Sequence, residues 1–255
     1  MKIFDTHCHL NHDDFYKNVG QIIKEANAEG VDSFLVVGYD KESSLRALNL
    51  ANKYKGVYAA IGFHPTDIDV SEEEFDSLMK LLDNPKVVAI GEIGLDYHWV
   101  KDPLQRKKQR EFFVKQINIA NKYNLPISIH SRDADLDTLN ILKENPLKMG
   151  GIMHCYSGSV ESAKELTKMN LLIRLGGPLT FLNAKTPKEV ANAIPLEKIV
   201  IETDAPYLAP HPHRGRTNHP KYIVLVLEEL SKIKNLSVEE VANVTYENAR
   251  KMFHV

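Results

Sequence analysis

Eight short apolar runs, rich in β-branched residues, alternate along the chain with longer stretches whose apolar residues recur three and four positions apart. The runs are Lys2–Asp5, Ser33–Val37, Val57–Ile61, Val87–Ile90, Pro126–Ile129, Gly151–His154, Leu171–Leu175 and Lys198–Ile201. They read as strands, and the stretches between them, such as Ile22-Ile23-Ala26 and Phe112-Phe113-Gln116-Ile117-Ala120, read as amphipathic helices. Alternation of the two implies parallel strands joined by right-handed crossovers. The runs are continuously apolar, as suits strands covered on both faces. A length of 255 residues matches one eightfold barrel, which needs about 250. The expected fold is α/β, a TIM-type (β/α)8 barrel of eight parallel strands with C-terminal helices, forming one domain over residues 1–255.

Two closing helices are expected. Pro220 suits the first turn of one that carries Ile223, Val224, Leu227 and Leu230. Ser237 and Glu240 form a capping-box pattern that opens another with Val241, Val244 and Phe253. A doubly wound open sheet is the alternative, but its crevice would not gather residues from the first, fourth, fifth, sixth and eighth strands.

Composition narrows the class of protein. The only cysteines, Cys8 and Cys155, leave no disulfide framework and point to a reducing compartment. No stretch approaches the roughly 18 apolar residues that would cross a bilayer, and the start lacks a charged segment followed by an apolar one. A cytoplasmic location without a membrane or an evident obligate protein partner is expected. A net charge of −2 and a pI near 6.6 argue against a broadly electrostatic nucleic-acid binder. A local basic site or bound cations could still serve a nuclease.

Chemistry-bearing residues stand where strands end. His7 and His9 are two apart, so in an extended strand they face one way and Cys8 the other. Two imidazoles so placed suit zinc or another transition metal. Asp5 either supports one of them or is a strand-end carboxylate. Glu92 follows a buried run between Gly91 and Gly94; a carboxylate there must be paired or coordinate an ion, and it can bridge two. Asp96 reads as a supporting or structural residue.

His130 and His154 end consecutive strands and with Glu92 make a second ligand set. Asp204 would bind the first ion and accept a proton from the attacking water. Glu202 is expected to be out of phase, pointing elsewhere and pairing structurally. Cys155 reads as a small buried thiol. His64 ends the third strand and should contact substrate, while Arg132 and Arg214 offer forks for anionic oxygen. Asn218 would be structural. Tyr97, Trp99 and Tyr156 would stack on nucleobases or simply pack at the rim.

With these residues in place, the chain resembles the TatD family of metal-dependent hydrolases, in the amidohydrolase-like barrel superfamily. The resemblance runs nearly end to end. It is carried by Phe4-Asp5-Thr6-His7-Cys8-His9-Leu10, Gly62-Phe63-His64-Pro65, Gly91-Glu92-Ile93-Gly94-Leu95-Asp96-Tyr97 and His130-Ser131-Arg132-Asp133-Ala134. It continues through His154-Cys155-Tyr156-Ser157-Gly158 and Glu202-Thr203-Asp204-Ala205-Pro206-Tyr207-Leu208.

By that resemblance, His7, His9, Glu92 and Asp204 would hold one divalent cation and Glu92, His130 and His154 the other. Magnesium, manganese and zinc all suit such donors. The resemblance further implies a deoxyribonuclease with DNA as substrate, acting as an exonuclease on single strands or from 3′ ends. Relatives usually carry Lys where Arg216 stands and often Glu where His219 stands, which touches the substrate side and not the ion ligands. The alternatives are hydrolysis of an amide, lactone or ester, including an aminoacyl ester on tRNA, and a non-catalytic metal-binding or nucleic-acid-binding scaffold.

Overall fold

A computed structural model describes residues 1–255. The eight runs become eight parallel strands in a single sheet, in sequence order. They are β1 (Ile3–Cys8), β2 (Val31–Val37), β3 (Val57–Ile61), β4 (Val87–Asp96), β5 (Ile127–Arg132), β6 (Gly151–Met153), β7 (Leu171–Leu175) and β8 (Ile199–Ile201). Helices fill the connections and pack outside, giving a nearly closed barrel. No helix is long and apolar enough to cross a membrane.

Two apolar clusters reflect the two faces of each strand. Ile173 and Leu175 of β7, Ile199 and Ile201 of β8, and Met153 of β6 belong to the large cluster beneath the helices. Their neighbours Leu172, Val200 and Ile152 belong to a smaller cluster with Phe4 and Leu35. Period-two alternation places that second set inside the barrel. Met252 and Phe253, at the end of the helix Val238–Phe253, join it and plug the lower end. That helix opens on the expected Ser237/Glu240 capping box. Pro220 starts a short 3-10 turn, Pro220–Tyr222, that leads into the helix Ile223–Lys234.

One layer above this plug the inward positions turn polar. Ile152 is followed two residues on by His154, Leu172 by Arg174, and Val200 by Glu202. The strand that is apolar below is therefore polar above, at the carboxyl end of the barrel, the end where barrels of this type carry their sites.

The seam between β8 and β1 is held differently from the others. The Asp204 N–H donates to the His7 carbonyl at 2.9 Å and the His9 N–H to the Ala205 carbonyl at 2.8 Å. The Thr6 hydroxyl donates to the Ile201 carbonyl at 2.7 Å. Buried Asp5 accepts from the Thr203 N–H at 2.9 Å and from the Thr203 hydroxyl. Asp5 is therefore a seam residue, and its carboxylate contacts no imidazole.

Two strands run further than their apolar runs. β4 continues through Glu92 to Asp96, and β5 through His130 to Arg132. Polar residues end the hydrophobic pattern there, yet the ladder persists, pairing Gly94 with His130 and Asp96 with Arg132. Asp5→Ala would strand the Thr203 donors inside the seam. Losing such buried partners should lower stability by about 2–3 kcal/mol, read as a lower urea midpoint. An unchanged midpoint would remove Asp5 from the closure.

Candidate metal centre

The upper end of the barrel opens as a cavity of about 550 Å³. His9, just past the end of β1, lines it and His7 lies fully buried below, where the register of β1 against β2 shifts between Asp5 and Cys8. Such an irregularity re-aims side chains. Cys8 turns away and its thiol meets the Leu35 carbonyl at 3.6 Å.

The His7 and His9 Nε2 atoms lie 3.2 Å apart, and His9 Nε2 lies 3.4 Å from Asp204 Oδ1. His7 Nε2 is 3.7 Å from the same Asp204 oxygen and 3.5 Å from Glu92 Oε2. Donors arranged tetrahedrally at zinc-like bond lengths sit about 3.4 Å from one another. His7, His9 and Asp204 are thus spaced as donors to one ion, with Glu92 against His7. His9 Nδ1 faces the Val37 carbonyl at 3.1 Å, which places its proton there and turns the Nε2 lone pair toward the cavity.

Glu92, His130 and His154 form a second group capable of holding an ion. The β4–β5 register shifts between Ile90 and Ile93, around Glu92. His130 Nδ1 meets Glu92 Oε1 at 2.8 Å, and its Nε2 meets Asp96 Oδ2 at 3.0 Å. His154 Nε2 lies 3.7 Å from Glu92 Oε1, while its Nδ1 meets Glu202 Oε2 at 2.8 Å. Gly94 permits this crowding: it has φ of +144°, and a Cβ there would lie 2.0 Å from the His130 carbonyl oxygen.

Glu202 departs from expectation. It points into the barrel and orients His154, and it also accepts from the Cys155 N–H at 3.0 Å. Val200 faces inward, and alternation carries Glu202, two residues on, to the same side. Its expected structural pairing is met by Arg174 at 3.4 Å. A left-handed φ of 57° comes only afterwards, at Asp204.

Beneath both groups lies a residue that the sequence reading passed over. Arg174 is fully buried. Its Nε meets Thr6 Oγ1 at 2.9 Å and Glu202 Oε2 at 3.4 Å. Its Nη1 meets His7 Nδ1 and Ser128 Oγ, each at 3.0 Å. A single charge interrupting Leu171–Leu175 was the available signal, since an unpaired charge has no place in a buried strand.

Electrostatics follow from this crowding. Burial opposes charge on His154, but Glu202, Glu92 and Asp204 outweigh it and raise its pKa to about 9. His9 and His130 are raised in the same way against their own burial, chiefly by Asp204 and by Asp96 with Glu92. Burial also opposes ionisation of Glu92, yet His154, His130 and His7 hold it well below the usual carboxylate range. His7 is pushed well below its ordinary value, first by burial and then by His154.

The other expected residues divide. His64 and Arg132 line the cavity. Burial pushes the His64 pKa down to about 4. His64 Nδ1 meets Thr66 Oγ1 at 2.7 Å and the Thr66 N–H at 3.2 Å, and the Thr66 hydroxyl in turn donates to Asp67 at 2.9 Å. Arg214 is not brought to the cavity; its guanidinium lies over Phe181 at 4.4 Å. Asn218 is buried and structural, donating to the carbonyls of Thr203 and Tyr207 at 2.7 and 2.8 Å. Tyr97 and Tyr156 are buried with their hydroxyls bonded to Asp137 and the Ser159 carbonyl. Trp99 alone of the three aromatics is exposed. Tyr39 and Tyr207 also line the cavity, and the sequence reading did not mark them.

A family model described as TatD related DNase matches residues 4–254. The Bacillus subtilis metal-dependent hydrolase YabD is 47% identical over 255 residues, covering 99% of both chains. The Escherichia coli metal-dependent hydrolase YcfH is 35% identical, over 100% of this chain and 97% of that one. The crystal structure of YjjV, a TatD homologue from Escherichia coli, superposes with a TM-score of 0.94 at 30% identity, covering 99% of this chain and 98% of that one. The chain belongs to the TatD family of metal-dependent hydrolases.

Proposed function

We propose that this hydrolase cleaves phosphodiester bonds of DNA, working as a 3′-to-5′ exonuclease on single strands or 3′ ends with two divalent cations, magnesium, manganese or zinc. The observation that carries the reading is the sharing of two carboxylates between the histidine groups. Glu92 lies against His7, His130 and His154, and Asp204 lies 3.4 Å from His9 and 3.9 Å from His154. In this reading His7, His9, Glu92 and Asp204 hold one cation and Glu92, His130 and His154 the other. Cations bound there would supply Lewis acidity and ease the ionisation of water.

The protein's own groups do the rest. Asp204, at the open side of the group, accepts the proton of the attacking water. His64 presents its neutral ring to the substrate, and Arg132 offers its fork to a phosphate oxygen. Glu202 and Asp96 keep His154 and His130 oriented. Arg214 would have to leave Phe181 to reach the same substrate.

A second reading rests on the cavity lining, where Arg132 is the only arginine or lysine and Asp67 adds an acid. That lining also suits an uncharged ester or lactone. The family description and the shared carboxylates favour the phosphodiester.

Three outcomes test these assignments. Asp204→Asn should fold normally and lose activity on a 3′-labelled single strand by about 100-fold or more; full activity would exclude it as the proton acceptor. Unsubstituted protein given DNA and an aminoacyl ester, with manganese in both, should shorten the DNA from its 3′ end. Ester turnover with intact DNA would reject the nuclease reading.

The third concerns pH. The His154 pKa rises from 6.5 to about 9 on folding without a cation. Its stabilising contribution is then complete below pH 6.5 and is lost as pH rises through about 9. EDTA-treated protein should melt at a higher temperature at pH 6 than at pH 9.5, with a smaller difference in His154→Gln. Equal pH sensitivity in the two proteins would contradict this.

A further inference from the structure

Three aromatic side chains line the cavity outside both apolar clusters, Tyr39, Trp99 and Tyr207, and Trp99 is the most exposed of them. Trp99 is the only tryptophan in the chain, is 68% exposed and lines the cavity beside Arg132. Its loop is pinned. Arg106 donates to the Tyr97 and Val100 carbonyls at 3.1 and 2.8 Å, and Lys101 donates to the Tyr97 carbonyl at 2.9 Å. The Trp99 N–H itself donates to Asp96 Oδ1 at 2.8 Å, while the other oxygen of that carboxylate meets His130 Nε2. One buried carboxylate thus sets both the indole-bearing backbone and a candidate ligand.

The indole has two neighbours of its own. The Arg132 guanidinium lies over the ring at 5.6 Å, and His98 meets it edge-on at 4.8 Å. Across the cavity Tyr39 and Tyr207 flank His9, with ring centroids 5.7 and 5.9 Å from it. Flat apolar surfaces therefore stand on both sides of the ion-binding groups. A phosphate alone needs none of them, whereas a nucleotide brings a base whose face suits an aromatic ring.

We propose that Trp99, backed by Arg132, is the stacking platform for a nucleobase next to the phosphodiester under attack. The proposal rests on the nuclease reading above and adds how the strand is held. Stacking tolerates every base, so the platform fixes position without selecting sequence. Asp96 ties it to His130, so the base and the phosphate are registered against one another.

The lone indole makes the test direct. Manganese-loaded protein is titrated with a phosphorothioate-linked oligothymidylate that resists hydrolysis, and Trp99 emission is followed. Saturable quenching is expected, with little or none from an oligomer of equal length built on abasic tetrahydrofuran residues. On a 3′-labelled strand, Trp99→Ala should raise KM about tenfold, the size of one lost base stack, with a smaller effect on kcat, and Trp99→Phe should recover most of the loss. A DNA-cleaving protein whose emission ignores the oligonucleotide and whose KM is unchanged in Trp99→Ala would overturn the platform alone. A wild-type protein that neither cuts nor binds DNA would overturn both it and the nuclease reading.

Discussion

An ion pair sealed in the middle of the barrel, Arg174 with Glu202, underlies the whole upper half of the molecule. A charge buried without a partner costs several kcal/mol, so the pair holds only because each member is bonded on several sides. Arg174 spends its hydrogens on Thr6, His7 and Ser128, and Glu202 receives His154 and the Cys155 backbone. Strands β1, β5, β6, β7 and β8 are thereby joined by side chains at the level where the apolar plug ends. Only Nη2 of the guanidinium lacks a partner. The candidate ligands stand on this polar deck, and their orientation is inherited from it.

The same pair shapes the electrostatics above. Carboxylates from Glu92, Asp204 and Glu202 crowd a small space against one internal guanidinium. Without cations, that imbalance is met by protons on His154, His9 and His130. Divalent ions answer the same imbalance, so protons and metal compete for one set of nitrogens. His7 is the exception, since burial and then His154 disfavour its charged form.

Much of this was legible in the chain. Strand and helix periods led to the right topology, and acids and histidines at strand ends led to one mouth. What escaped did so for specific reasons. Hydrophobic runs end where polar ligands begin, so β4 and β5 were drawn short although their ladders continue past Glu92 and His130. Alternation fails at the register shifts in β1 and β4. It holds for Glu202, which stands two residues after inward-facing Val200 and so points inward, against the expectation that it was out of phase. Arg174 was visible as a charge in an apolar run, but its partners lie on other strands and only the closed barrel assembles them. Arg214, in contrast, carried the right chemistry in a loop whose path the sequence could not trace.

The seam between the last strand and the first has a bearing on biosynthesis. Its hydroxyl-to-carbonyl contact from Thr6 to Ile201 spans 195 residues, and the seam brings His7 and His9 to Asp204. A nascent polypeptide emerging from the ribosome therefore exposes its first two imidazoles long before the acid that completes their set has been translated. With the role proposed for Asp204, hydrolytic competence would arrive late and all at once, only after the residues beyond β8 are made.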